Sequence, residues 1–207
     1  MKTATEQLED TGMTDFESCL AQMEASRHWF VARVLSLSDE QLQFQPLSGG
    51  WSIAHCIDHL NIAINLYLPK LEEAIGRGWG QGKRYRSGLL CTPEEQRVLT
   101  LVEPPVMRPV SAPPILEPAA IDTGRLSEQF YTLRDSYAGA VRRAYGLDGS
   151  GIELPGAIHP VIRSLGGTLL LIAAHDRRHM WQAEQVRKTP EFALISTSNF
   201  ALATSLS

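Results

Sequence analysis

Four stretches of the chain repeat apolar residues at helical spacing, and the stretches between them do not. Residues 15 to 37 offer Phe16, Leu20, Met23, Trp29, Phe30 and Val34 for burial, a recurrence of three and four residues that marks an amphipathic helix. Thr14 and Glu17 make a T-x-x-E pair just ahead of it, the pattern of a capping box. Residues 52 to 76 predict a second helix, with Ser52 as its N-cap and a stripe through Ile53, Ile57, Leu60, Ile64, Tyr67 and Leu71. Residues 126 to 146 predict a third, on Leu126, Phe130, Leu133, Tyr137 and Val141, stopped by Gly146. Residues 168 to 188 predict a fourth, rich in strong helix formers and stopped by Pro190. Ser38 to Gln41 caps a single short turn, and the polar ends, 1–13 and 190–207, read as peripheral.

The segment from 77 to 122 breaks this pattern. It holds Pro93, Pro104, Pro105, Pro109, Pro113, Pro114 and Pro118, a density that forbids one regular helix and disfavours a central strand. Residues 92 to 102, TPEEQRVLTLV, have room for a short helix or strand. A connection this long inside a compact domain is functional or disordered. We expect an ordered strap that shapes the mouth of a pocket. The fold expected is therefore all-α: one domain over residues 1–207, an antiparallel four-helix bundle with a long proline-rich connection between the second and third helices.

Composition narrows the setting. A length of 207 residues suits one domain with a substantial core. The net charge of −4 offers no general basic field for nucleic acid. Cys19, Cys56 and Cys91 are an odd number without framework spacing, which points to a reducing, cytoplasmic compartment. The N-terminal residues lack the apolar run of a signal peptide. The longest apolar run, LLLIAA, is far short of the ~20 residues that span a membrane.

Candidate chemistry sits in the fourth helix. His175 and His179 are four residues apart, so both imidazoles leave one face. That spacing lets a helix give two nitrogens to one metal ion. Residue 176 is Asp, so the H-E-x-x-H pattern of zinc proteases and its general base are absent. On a wheel with Leu169 at zero, the two rings fall at about 240° and about 280°, on the flank of the apolar stripe. In the second helix, with Ile53 at zero, His59 falls near about 240° and His55 near about 200°, further towards water. His59 is therefore the ligand expected from that helix, with a His55–His59 pair as the alternative. Asp58 faces away. Cys56, one turn from His59, is a possible fourth ligand on the apolar face, where packing is its ordinary role. His28 has no histidine partner at helical spacing. Arg134, Arg142 and Arg143 read as solvated or interhelical charges.

Two blocks resemble a known family. GGWSIAHCIDHL is similar to the entry of the second helix in DinB/YfiT-like metal-dependent bundle proteins, and AAHDRRHMWQAEQV to their last-helix block. IHPVIRSLGGTL resembles a segment found just before that helix. The resemblance covers most of residues 14 to 188 and implies His59, His175 and His179 as the ligands of a divalent ion. Three imidazoles leave an open position, as in catalytic sites, and suit zinc or nickel.

Two functions follow as expectations. The resemblance implies a metal-dependent enzyme acting on a small molecule. Thiol S-transferases that use bacillithiol or mycothiol are one class and a thiol-dependent isomerase another, while hydrolysis needs only the same open position. Gln182 and His159 are the pocket residues expected near the site. Each has a bland alternative, a helix-flank amide and a loop histidine before proline. Arg177 and Arg178 can attract an anionic thiol, although exposed helix arginines are usually solvated. The second function is a non-catalytic bundle, metal-stabilised or binding a small ligand, that forms a homodimer.

Overall fold

The computed structural model describes residues 4–85, 90–106 and 111–195, with 4–14 as backbone only. Helix α1 spans Ala4–Arg33, α2 Asp39–Gln43, α3 Ile53–Gly80, α4 Pro93–Val102, α5 Thr123–Ala144 and α6 Leu165–Arg187. A single 3₁₀ turn lies at Pro114–Leu116. No strand occurs among the described residues, which hold only two isolated bridges. The all-α expectation stands.

Boundaries moved where local signals competed with packing. α1 begins at Ala4 rather than Asp15, so Thr14 lies inside the helix and not at its start. α3 runs on to Gly80, through glycines that seemed to end it. Gly78 faces the loop after α5, and a Cβ there would meet Ile152 Cδ1 at 2.5 Å. The proline-rich strap contains a true helix, α4, opened by a Thr92–Glu95 capping box and by Pro93 at a position that needs no donor. Ser38 caps α2 by the expected reciprocal bonds with Gln41. Of the segment 190–207, expected to be peripheral, residues 196–207 lie outside the described residues, and 190–195 pack on the bundle. Residues 190–195 are helical, and the Phe192 ring packs edge-on against Phe44 at 6.0 Å.

The four long helices, α1, α3, α5 and α6, surround a core divided in two. Phe16, Met23, Ile64, Tyr137 and Leu169 belong to one apolar half. Phe30, Ile57, Phe130, Ala183 and Val186 belong to the other. Each long helix contributes a buried polar residue to one hydrogen-bonded network: Ser26, Asn61, Arg134 and Asp176.

A buried carboxylate, Glu95, fastens the strap to the start of α6. Glu95 is 2% exposed. Its Oε1 accepts from the backbone N–H of Arg163 and of Ser164, each at 2.8 Å. Its Oε2 accepts from Ser164 Oγ at 2.6 Å and from Thr92 N–H at 2.9 Å. Ser164 is the N-cap of α6, so the charge also meets the positive end of that helix. The glycines of SLGG make the close approach possible. A Cβ on Gly166 would fall 1.8 Å from the Leu90 carbonyl oxygen, and one on Gly167 2.6 Å from the Glu95 carboxyl.

Burial alone would raise the Glu95 pKa. The bonds from Ser164, Thr92 and Arg163 outweigh it and hold the group below its ordinary value of 4.5. The stabilisation is complete above that value and fades as pH falls through the lower, folded-state pKa. Glu95→Ala is expected to cost about 3 kcal/mol in urea unfolding at neutral pH. It should also flatten the acid limb of the stability profile. A loss under about 0.5 kcal/mol, typical of a surface change, contradicts this account.

Candidate metal centre

α3 and α6 bring His59, His175 and His179 together. His59 Nε2 lies 3.0 Å from His175 Nε2, and His179 Nε2 lies 2.9 Å from the same atom. Among the described residues this trio is the group of candidate ligand atoms close enough to share an ion, all within 4.8 Å of one another. His59 and His179 are buried and His175 half-buried.

Each ring has a reason for its orientation. His59 donates Nδ1–H to the Leu116 carbonyl at 2.7 Å. Leu116 ends the 3₁₀ turn of the strap, so the strap fixes the tautomer of a ring on α3. The His59 proton is then on Nδ1, and its Nε2 presents a lone pair. One hydrogen on His175 Nε2 cannot serve two short contacts well, and without it lone pairs face each other. A cation bonded to all three nitrogens removes the conflict. Tetrahedral zinc with bonds of about 2.0–2.1 Å sets its nitrogens about 3.3 Å apart. The two short contacts to His175 each need to open by only a few tenths of an ångström to reach that spacing.

The rings are held neutral. Burial lowers the His59 pKa, against the pull of its bond to Leu116. Burial lowers His175 far more, assisted by positive charge at His59, Arg178 and Arg134. Burial also lowers His179, with His175, His59 and Arg178 adding to it and Gln182 opposing. Two buried atoms beside the cluster have no hydrogen-bond partner, His179 Nδ1 and Gln182 Oε1. They stand three residues apart on α6. An Nδ1–H bond between them would satisfy both and leave the His179 Nε2 lone pair facing the cluster, an outer-shell contact typical of ligand histidines. The indole of Trp51 stacks on His179 at 5.6 Å and 23° and lies 4.7 Å from the His59 ring.

The cluster opens into a cavity of about 660 Å³. α4 and the strap supply one wall through Val98, Val102 and Leu116, and α3 and α6 supply the other through Ile64, Leu171 and Ile172. His159 and Gln182 both line it. His159 Nδ1 accepts from the backbone of Val161 and Ile162 at 3.1 and 3.0 Å, so it braces its own loop. Three other residues considered from the sequence lie outside the cluster. His55 Nδ1 pairs with Ser52 Oγ at 2.8 Å. Cys56 lines the cavity, and its thiol is pushed up to about 12 by burial. His28 pairs with Glu24 on the surface.

Of the two readings of Arg134, solvated or interhelical, the structure bears out the second: the residue is 0% exposed. Its Nε and Nη2 donate to the two oxygens of Asp176 at 3.0 and 2.8 Å. Its Nη1 donates to Asn61 Oδ1 and to the Phe130 carbonyl, both at 3.2 Å. Ser26 Oγ donates to Asp176 Oδ2 at 2.7 Å. The signal was present in the stripe: Phe130, Arg134, Tyr137 and Val141 share one helical face, so Arg134 falls among core residues.

A buried pair is weak evidence for stability but costly to break. Arg134→Met or Asp176→Leu alone is expected to lose about 3–5 kcal/mol in chemical unfolding. The double variant should be more stable than either single one. A double variant as unstable as the two losses added would contradict the pairing.

The family model described as the DinB superfamily matches residues 22–183. No curated protein and no solved structure matches the chain. No helix among the described residues is long and apolar enough to cross a membrane.

Proposed function

The chain belongs to the DinB superfamily, and on that footing we propose that it is a metal-dependent enzyme acting on a small molecule in the cavity beside His59, His175 and His179. The observation that carries this reading is the convergence of three neutral Nε2 atoms on one point, with a cavity on their open side. Zinc or nickel suits three imidazoles. Bound there, a divalent ion acts as a Lewis acid and makes a thiol or water that reaches it more acidic.

The chain's own residues would do the rest. Leu116 and Gln182 orient the ligand rings. Trp51 covers one side of the cluster and limits water. The apolar walls from α3, α4 and α6 hold the body of the substrate. Asp176 is fully engaged by Arg134 and Ser26, so it offers no base for proton removal. The proton of an attacking group must therefore leave through solvent or substrate. Lacking such a base, the centre suits a nucleophile already acidic near neutrality. A low-molecular-weight thiol meets that need better than water, which favours a thiol-dependent transferase over a hydrolase. The same reading has the protein work in the cytoplasm, where its three buried, unbridged cysteines stay reduced.

Purified protein should carry or take up one equivalent of zinc or nickel by elemental analysis. His59→Ala, His175→Ala and His179→Ala should each lower that content and abolish the metal-dependent rise in melting temperature. His55→Ala should leave both unchanged. Loading at a hundredfold excess over the dissociation constant adds about 2.7 kcal/mol of stability, so the shift is measurable. Acid should weaken binding, because protonated rings cannot coordinate. If all three variants keep a full equivalent of metal, the assignment is wrong. Retention of metal with no spectral response of the cobalt form to added thiol would favour the non-catalytic bundle.

A further inference from the structure

The cavity wall carries one charge that no opposite charge answers among the described residues. The charged residues lining it are Asp176 and Arg178. Asp176 is committed to Arg134 and Ser26. Arg178 is half-buried, and its hydrogen bonding amounts to one long contact, Nη1 to the Val102 carbonyl at 3.5 Å. Its neighbour shows what a satisfied arginine looks like here. Arg177 grips both oxygens of Glu103 at 2.8 and 2.5 Å and reaches Gln22 at 3.1 Å. Among the described residues Arg178 has no carboxylate partner. A guanidinium offers five N–H donors in a planar fork. Partly desolvating it without a counter-charge is unfavourable unless a ligand supplies one.

We propose that Arg178 anchors a carboxylate of the small molecule this cavity takes, so that the substrate is an amphiphile with an apolar body and one anionic end. The inference rests on reading the cavity as the small-molecule site of the enzyme proposed above. Three observations select this ligand. The wall beside Arg178 is apolar, formed by Val98, Leu171 and Ile172 among others. The fork geometry matches a carboxylate in two parallel bonds. Arg178 sits against the C-terminal end of α4, whose carbonyls are negative, which disfavours a doubly charged phosphate.

The placement also orders the substrate. Arg178 stands three residues from His175, one turn away on the same face of α6. The carboxylate and the three rings therefore share one wall, and the reacting carbon lies a few bonds from the carboxylate. Trp181 and Trp51 line the same cavity and report on its occupancy.

The test compares 4-phenylbutyrate with 4-phenylbutyramide, which share a body and differ in charge. Binding is followed by tryptophan fluorescence on chelator-stripped and zinc-loaded protein. The carboxylate should bind about tenfold more tightly than the amide in both forms. Arg178→Gln should bring the ratio to about one while leaving amide affinity unchanged, and Arg178→Lys should fall between. A ratio near one in the native protein overturns the proposal, as does failure of both probes to bind at millimolar concentration. A preference that survives Arg178→Gln, or that disappears on stripping, overturns it too, the latter because the carboxylate then sits on the ion. Should Arg178→Gln not fold, an unchanged ratio in Arg178→Lys counts against the fork. Metal content of the histidine variants is scored separately, so a failed metal site and a failed carboxylate site give different results.

Discussion

The Arg134–Asp176 pair is the contact on which the rest of the bundle depends. It joins α5 to α6 by two hydrogen bonds in a place with no water. Ser26 on α1 and Asn61 on α3 complete it, so all four long helices meet in one polar layer. The Arg134 guanidinium also lies 3.4 Å from the centre of the Phe130 ring. A buried charge has few acceptable neighbours, and this layer therefore fixes the register of each helix against the others more sharply than leucine packing does. That the pair secures specificity rather than stability is the hypothesis that best fits its energetics.

The layer explains where the histidines stand. Asp176 follows His175 directly, so fixing the carboxylate fixes the rotation of α6 at the cluster. Asn61 stands two residues after His59 and does the same for α3. The strap contributes from outside. Glu95 ties α4 to the start of α6, and the Leu116 carbonyl accepts a hydrogen bond from His59 Nδ1–H. A long proline-rich connection thus becomes part of the site, because its carbonyl groups and two carboxylates, Glu95 and Glu103, find donors on the bundle.

Much of this was legible in the sequence, for identifiable reasons. The four stripes gave the helices, because apolar periodicity survives any detail of packing. Ring positions computed separately on two helices put His59, His175 and His179 on matching flanks, and the structure brings those rings together. The misses share a cause. Arg134 was left open between a solvated and an interhelical charge although its place in the stripe of α5 favours the second, and Asp176, about 340° on the wheel and so beside the apolar centre of α6, was read only as a missing base. Two opposite charges at core positions of neighbouring helices are a signal for a buried pair. The length of α1 and α3 was hidden by local chemistry: a T-x-x-E pair that falls inside the helix, and a run of glycines of which Gly78 serves close packing. The Leu116 contact could not be read at all, since it joins residues 57 positions apart through a backbone atom.

The account stands on three imidazoles sharing one ion, and zinc-edge X-ray absorption of protein loaded with one equivalent of zinc tests that most directly. Three imidazole nitrogens at about 2.0–2.1 Å, completed by a lighter exchangeable ligand, are the expected shell. A sulfur scatterer at about 2.3 Å, or fewer than two imidazoles, would place the ion elsewhere and contradict the site.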